Sequence, residues 1–211
     1  AVPIVGSTLP IGVGLAWANK LKKKKLVVII FFGDGAIEEG VFYESVNFAT
    51  VKKLPVIFIC ENNFYSVYSP LSVRQPKGRS ISKMVNAMGP KVLNCDGNNV
   101  LQVHKILKKA ISDTRRGNGP YFLEFFTYRW LEHCGPNFDN DLGYRSEKEF
   151  KRWKSREPIR RLKKRIGEKF YKNIKNIEIS VRKEIHKAFN FAERSPFPSK
   201  SDAYKGIYAN K

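Results

Sequence analysis

Oxygen-bearing side chains follow two apolar runs that lie close together in this chain. Asp34, with a glycine on each side, follows the run over residues 26–32, and Asn63 follows the run over residues 55–60. Carboxylate and amide oxygens are ligands that suit hard divalent cations such as Mg²⁺. The glycines beside Asp34 allow a backbone to approach phosphate oxygens closely. These residues therefore predict a site that holds Mg²⁺ against a diphosphate.

The segments around these residues predict a βαβ unit. The runs over residues 26–32 and 56–60 are continuously apolar, which is typical of parallel strands that are covered on both faces. The sequence over residues 36–53 has helical periodicity and two glutamates in its first turn. Since parallel strands end at the same edge of a sheet, we expect Asp34 and Asn63 to lie side by side there. The amides at the start of the helix would face the same edge.

The rest of the chain continues this alternation of strands and helices. Small residues over 5–19 predict a closely packed core helix. The further elements are expected to be a loop over residues 64–79, a helix over 80–88, a strand over 91–95, a helix over 98–116 and a strand over 121–129. The predicted fold class is therefore α/β, a Rossmann-like, three-layer parallel sheet over residues 1–145 that is followed by a basic helical extension over residues 146–211.

Composition narrows the class of protein. Of the 211 residues, 42% are hydrophobic, and no apolar run is long enough to span a bilayer, so we expect a globular protein without a membrane helix. The N-terminus has no basic leader, and the three cysteines have no metal-ligand spacing. Both features favour a reducing cytoplasm as the setting of the protein.

The net charge of +20 is large, and it predicts contact with anions. Much of the charge lies after Arg145, in stretches with helical periodicity such as residues 148–165. A solvated basic helix face is the favoured interpretation of these stretches. The alternative is a nucleic-acid-binding or scaffold protein, which predicts steeply salt-dependent binding to DNA or RNA.

The 28 residues between Asp34 and Asn63 match the spacing of a known cofactor signature. A Gly-Asp-Gly triplet that is followed at this distance by an asparagine pair resembles the signature of the thiamine diphosphate-binding fold. The neighbouring sequence is similar to the alpha subunit of the decarboxylating component of 2-oxo acid dehydrogenases. The segments that carry this resemblance are Gly33–Ala36, Glu39–Gly40, Leu54–Phe58, Cys60–Tyr65, Thr127–Arg129 and Tyr144–Arg145.

The resemblance implies roles for residues that match the family's motif. Asp34, Asn63 and the backbone carbonyl of Tyr65 would ligate Mg²⁺. Gly35 and Ala36 would contact the diphosphate of thiamine diphosphate. By resemblance, the metal and the cofactor would thus share one site at the edge of the sheet.

Three further residues match positions around the cofactor in this family. Val5 would support the cofactor, Arg129 would lie near its diphosphate, and His133 would be the catalytic residue at the mouth of the site. The family has His-Gly-His-Ser where this chain has Leu-Glu-His-Cys over residues 131–134. Residues 135–143 also depart from the family, so the oxo acid and the acceptor stay open.

The resemblance also implies a reaction and partners. Members of the family decarboxylate a 2-oxo acid, or cleave acetoin, and pass the acyl unit to lipoamide on a lipoyl acyltransferase. A beta-type subunit completes the active site, so we expect a heterotetramer of two alpha-type and two beta-type chains. The alternative activity is that of a carboligase that joins the unit to another carbonyl. No membrane partner is expected.

Overall fold

The computed structural model describes residues 4–208 of the chain. The strands are β1 (Val28–Gly33), β2 (Val56–Asn62), β3 (Tyr65–Ser66), β4 (Ser69–Pro70), β5 (Lys91–Asp96) and β6 (Tyr121–Phe126). The helices are α1 (Thr8–Leu21), α2 (Gly40–Val51), α3 (Leu71–Arg74), α4 (Ile81–Ala87), α5 (Val100–Arg115), α6 (Glu147–Lys154), α7 (Pro158–Ile166) and α8 (Tyr171–Arg194).

Four of the strands form one parallel sheet in the order β1-β2-β6-β5. β3 and β4 form a separate antiparallel hairpin directly after β2. In the sheet, Val28 pairs with Val56 and Gly33 pairs with Glu61, so β1 and β2 run in register and end together. The predicted parallel α/β sheet is confirmed, and the segments after β1 and β2 leave the sheet at one edge.

Alternation along the strands distributes the core between the two faces of the sheet. In β2, Phe58 and Cys60 pack with α1, α2 and α4, whereas Ile57 and Ile59 pack against α5. All four side chains are fully buried. This is why the apolar runs are continuous instead of alternating with polar residues, and it gives the three layers that the sequence predicted.

Helix α1 lies very close to β1. A Cβ atom added to Gly12 would lie 2.5 Å from Cδ1 of Ile30, which no real pair of carbon atoms tolerates. The small residues of α1 therefore allow the close backbone approach that the sequence predicted.

The segment after β1 differs from the expected helix over residues 36–53. A 3₁₀ turn over Asp34–Glu38 comes first, and α2 begins only at Gly40. The two are separated because Glu39 has extended backbone angles (φ −78°, ψ 137°). The amides that face the sheet edge near Ala36 therefore belong to a tight turn and not to the start of a long helix.

An aromatic cluster holds α6 on the sheet domain. Trp153 of α6 is only 5% exposed, and its ring stacks on that of Tyr128, with 5.6 Å between the ring centroids and an interplanar angle of 13°. Phe150 also packs in this cluster. The two compact units of the chain divide between Leu162 and Lys163. The aromatic packing of α6 and the ion pair between Arg161 and Asp96 hold the residues before this division on the sheet domain.

The second compact unit, residues 163–211, contains α8, a helix of 24 residues with no buried side chain. The sequence of this helix is amphipathic and basic. None of the helices within residues 4–208 has the length and apolar character needed to cross a membrane.

Candidate functional site

A cavity of about 330 Å³ opens at the edge of the sheet where β1 and β2 end. All eight residues that the sequence singled out line this cavity, namely Val5, Asp34, Gly35, Ala36, Asn63, Tyr65, Arg129 and His133. They come from the segment before α1, from the turn after β1, from the turn after β2 and from the loop after β6. The parallel topology thus brings together residues that are up to 128 positions apart in the chain.

Asp34 is the most buried polar residue of the cavity, with no exposed surface. Its Oδ1 atom accepts a hydrogen bond from the backbone N–H of Asn63, with an N···O distance of 3.2 Å. Its Oδ2 atom pairs with the guanidinium of Arg74. Burial raises the pKa of the Asp34 carboxyl, and the ion pair with Arg74 only partly offsets this effect.

The turn after β2 is closed by its own asparagine. Oδ1 of Asn63 accepts a hydrogen bond from the backbone N–H of Tyr65 at 2.9 Å. Phe64, between them, has a φ of 70°, which is uncommon for a residue with a side chain. The buried Tyr65 ring is held by a hydrogen bond from its hydroxyl to Glu149 at 2.8 Å. The side-chain oxygen of Asn63 and the backbone of Tyr65 are therefore held next to Asp34.

Asn62, the other member of the asparagine pair, has a structural role. It is 1% exposed, and its Nδ2 donates to Oε1 of Glu124 at 2.8 Å. The hydroxyl of Ser82 donates to the other oxygen of the same carboxylate. Sequence reasoning missed Glu124, although a glutamate at the centre of an apolar strand was a signal that a buried polar network surrounds it.

Gly35 allows the hairpin after β2 to approach the turn after β1. A Cβ atom at this position would lie 2.8 Å from Oγ and 3.1 Å from Cβ of Ser66. Gly35 therefore leaves room for the Ser66 side chain, and both residues line the cavity. Ala36, which follows, is 5% exposed.

Arg129 fastens the loop after β6 to the hairpin. Its Nη2 donates to the backbone oxygen of Val67 and to the hydroxyl of Tyr144, both at 2.8 Å, and its Nε donates to the backbone oxygen of Leu131 at 3.1 Å. Its Nη1 lies 3.4 Å from Nδ1 of His133. Arg129 thus holds the backbone on both sides of the cavity mouth and contacts the exposed His133.

A buried ion pair stabilises the loop after β6 that carries Arg129 and His133. Asp139 and Arg145 have side chains that are 2% and 0% exposed, and they pair directly. The hydroxyl of Tyr144 donates to the same carboxylate at 2.6 Å, and Arg145 donates to the backbone oxygen of Arg129 at 2.5 Å. Sequence reasoning missed Asp139, because the aspartates of residues 135–143 have no regular spacing that would indicate a role.

His133 and Cys134 lie at the tip of a small closed loop. The backbone N–H of Glu132 donates to the backbone oxygen of Asn137 at 2.9 Å, and Oε1 of Glu132 accepts from both the backbone and the side chain of Asn137, at 3.1 and 2.9 Å. A Cβ atom on Gly135 would lie 2.1 Å from the same Oε1. The segment that departs from the family motif therefore forms a turn that is closed by hydrogen bonds between Glu132 and Asn137 and places His133 at the cavity.

The donor set fits a divalent cation that is shared with a ligand. Within residues 4–208, no three His, Cys, Asp or Glu side chains converge on a common point. The cavity instead offers one buried carboxylate, one amide oxygen and backbone oxygens, which are ligands for a hard cation that takes its other ligands from phosphate and water. A guanidinium already lies against the carboxylate, so the position accepts positive charge.

The family of the chain follows from comparison with known sequences. The sequence profile described as "Dehydrogenase E1 component" matches residues 2–201. The chain belongs to the dehydrogenase E1 component family. The resemblance to E1 alpha subunits that the motifs indicated is thereby confirmed.

Curated relatives agree with this assignment to the E1 family. The pyruvate dehydrogenase E1 component subunit alpha of Rickettsia bellii is 35% identical over 208 residues, which cover 97% of this chain and 63% of the relative. The 2-oxoisovalerate dehydrogenase subunit alpha of Bacillus subtilis is 32% identical over 209 residues, which cover 97% of this chain and 62% of the relative. The chain thus spans somewhat less than two thirds of the length of these E1 alpha subunits.

A solved structure supports the fold of this E1 family member. The transketolase of Campylobacter jejuni superposes with a TM-score of 0.52 at 23% identity, over 58% of this chain and 20% of the transketolase. At this identity the similarity concerns the architecture of the sheet and its helices alone.

Proposed function

We propose that this chain carries the thiamine diphosphate and Mg²⁺ site of an alpha-type subunit that acts in the decarboxylation of a 2-oxo acid. The observation that carries this proposal is the cavity at the ends of β1 and β2, which is lined by all eight residues of the predicted site. Membership of the E1 family supports it independently of the geometry.

The metal would be held by the residues that surround Asp34. Its carboxylate, the side-chain oxygen of Asn63 and the backbone carbonyl of Tyr65 would ligate Mg²⁺. Gly35 and Ala36 would contact the diphosphate through their backbone. Both turns are fixed by hydrogen bonds of their own, so the donors are positioned before a ligand arrives.

The residues at the mouth of the cavity would act on the substrate side. When bound, thiamine diphosphate supplies the electron sink for the loss of carbon dioxide from a 2-oxo acid. His133 would exchange a proton with the substrate, since its ring lines the cavity and is exposed at the mouth. Arg129 would hold the His133 loop and face the diphosphate. Val5, which also lines the cavity, would support the cofactor.

The complete site needs a second chain. In the proposed complex, a beta-type subunit covers the cavity and two chains of each type form a heterotetramer. The acyl unit would pass to lipoamide on a lipoyl acyltransferase, and a reducing cytoplasm suits the three unpaired cysteines. Pyruvate, a branched-chain 2-oxo acid and acetoin are the candidate substrates, because the relatives named above act on the first two classes.

A carboligase is the second candidate function. The closed turn from Glu132 to Asn137 replaces the family's usual sequence at the cavity mouth, where the acceptor would enter. Since the residues at the cavity mouth differ from those of the family, they favour a different acceptor, such as a second carbonyl compound. The two candidates share the decarboxylation step and differ only in what accepts the product.

The proposal is tested with the protein and its beta-type partner mixed in the presence of cofactor, Mg²⁺ and a panel of 2-oxo acids. We expect carbon dioxide release, with transfer to lipoamide or formation of an acyloin as the readout that separates the two candidates.

His133→Ala should lower turnover by about 10²-fold or more while cofactor binding persists. His104→Ala, on the exposed face of α5, is the matched control. Full turnover by the His133 variant would contradict the assigned role.

A further inference from the structure

Arg74 lies against the candidate metal site although no family motif placed it there. Its side chain is 10% exposed, and its guanidinium bridges two carboxylates. Nη2 pairs with Oδ2 of Asp34, and Nη1 lies 2.6 Å from Oε1 of Glu38. Nε donates to the backbone oxygen of Ser69 at 3.1 Å. Two charged pairs and one hydrogen bond to a backbone carbonyl thus hold this guanidinium in place.

The pair between Arg74 and Asp34 has a clear physical cause. A carboxylate without exposed surface is costly unless a positive charge or several hydrogen bonds compensate it. One backbone N–H reaches Oδ1, and Arg74 supplies the remaining compensation at Oδ2. Arg74 therefore supplies at Asp34 the positive charge that a bound cation would otherwise supply.

The same carboxylate cannot serve Arg74 and a divalent cation equally well. A metal at Asp34 would be a second positive charge within a few ångströms of the guanidinium, in a buried position where repulsion is weakly screened. Arg74 keeps two other anchors, Glu38 and the carbonyl of Ser69, when it leaves Asp34. The structure thus contains a competitor for the metal that has two further anchors besides Asp34.

Arg74 is also linked to the residues that would hold the metal. The hairpin pairs Ser69 with Ser66 and Pro70 with Tyr65, so the carbonyl that anchors Arg74 is one hairpin position from the proposed ligand. The backbone N–H of Leu71 donates to the backbone oxygen of Phe64 at 2.7 Å. Residues 64–74 therefore form one hydrogen-bonded segment, which carries a ligand at one end and the competing cation at the other.

We propose that Arg74 is the built-in counter-ion of Asp34, and that binding of a divalent cation at Asp34 displaces Arg74 from this carboxylate. This inference rests on the proposed function, since it takes Asp34 as a metal ligand. It assigns the affinity for metal to a competition between two cations for one carboxylate. Removal of Arg74 should therefore strengthen metal binding and lower the stability of the protein measured without metal.

The test uses the intact protein and Mn²⁺ alone, with free Mn²⁺ counted by electron paramagnetic resonance. We expect Arg74→Met to bind Mn²⁺ about 10-fold tighter than the wild type, because one competing ion pair is absent. Arg74→Lys, which keeps a charge but cannot bridge both carboxylates, should fall between the two. Arg79→Met is the matched control, because Arg79 contacts only Gln75 of the same segment, and it should leave the affinity unchanged.

Thermal unfolding adds a readout that separates competition from a merely structural role. Arg74→Met should unfold at a lower temperature than the wild type without metal, and Mn²⁺ should raise this temperature more in the variant. The Arg74→Lys protein keeps the comparison available when Arg74→Met is too unstable to purify. Equal or weaker Mn²⁺ affinity in both Arg74 variants would overturn the inference.

The Asp34→Asn background distinguishes failure of this inference from failure of the proposed function. Mn²⁺ binding that is lost in Asp34→Asn but unchanged by the Arg74 substitutions would leave the metal site in place and reject the competition. Mn²⁺ binding that is independent of Asp34 in every variant would reject both. Binding that depends on Asp34 and tightens without Arg74 would support both.

Discussion

At the scale of single residues, buried charge is organised in two ways around the cavity. Asp34 is compensated by one arginine and one amide, and burial leaves its pKa raised. For Asp139, burial alone would raise the pKa, but hydrogen bonds from Tyr144 and Arg145 outweigh it and leave the pKa lowered. The first carboxylate is suited to exchange its partner, and the second is suited to hold the loop that carries His133.

The lowered pKa of Asp139 has a definite consequence for stability. Because its pKa in the folded state lies below the ordinary value of 3.8, the ionised group contributes stability that is present above pH 3.8 and is lost as the pH falls through the folded pKa. Asp139→Asn should lower the free energy of unfolding by about 3 kcal/mol at neutral pH, since Arg145 stays buried without its counter-ion. Urea denaturation measures this difference.

The control for Asp139→Asn is Glu147→Gln, which breaks an exposed pair with Lys151. This change should alter stability by about 0.5 kcal/mol or less. The difference in stability between wild type and Asp139→Asn should also narrow as the pH falls from 3.8 through the lowered pKa of the folded Asp139 carboxyl. A difference that stays constant down to that range would show that the charge of Asp139 is not what stabilises the loop.

At the scale of elements, the sequence predicted those parts of the fold whose signal is local. The apolar runs of β2 and β6 and the amphipathic repeat of α5 each identify a strand or helix without reference to the rest of the chain. The late start of α2 was not predicted. The extended conformation of Glu39 follows from how the turn after β1 is packed, which a local pattern does not encode.

In the candidate site, too, some positions could be predicted from the sequence and others could not. The positions of Asp34 and Asn63 follow from the ends of two predicted strands, so their meeting at one edge could be foreseen. The partner of Asp34 could not be foreseen, because Arg74 lies 40 residues away in a segment that was expected to be a loop and that instead forms the β3–β4 hairpin and α3. Asn62 looked equivalent to Asn63 in sequence, and only the buried carboxylate of Glu124 shows that it faces another way.

The aromatic cluster around α6 connects the helix to the site. Trp153 packs on Phe64, with 6.0 Å between their ring centroids, and Phe64 lies between Asn63 and Tyr65 in the turn after β2. Trp153→Ala should therefore cost about 3–5 kcal/mol of stability and also weaken binding of the cofactor. Urea denaturation and calorimetry measure the two effects.

Phe138→Ala is the control for this element, because Phe138 touches the cluster from outside and is 60% exposed. It should change stability by about 0.5 kcal/mol or less and leave cofactor binding unchanged. If Trp153→Ala lowered stability while the cofactor bound with undiminished affinity, the cluster would be a support for α6 alone and not for the turn that carries Asn63.

At the scale of the whole molecule, charge and length set the context of the site. The net charge of +20 is shared between the sheet domain and the C-terminal unit, whose long helix α8 buries no side chain. The basic composition alone would also suit a nucleic-acid-binding protein, but it explains neither the buried Asp34 nor the convergence of the eight cavity residues. The proposed cofactor site would account for both.

The central claim is that this cavity binds thiamine diphosphate through Mg²⁺ held by Asp34. Calorimetric titration of the protein and its beta-type partner with thiamine diphosphate, with and without Mg²⁺, tests it most directly. We predict saturable binding that requires Mg²⁺, is weakened about 100-fold or more by Asp34→Asn, and is unaffected by Asp141→Asn on the exposed loop. Absence of Mg²⁺-dependent heat in the complete complex, or full binding by the Asp34→Asn protein, would contradict the account.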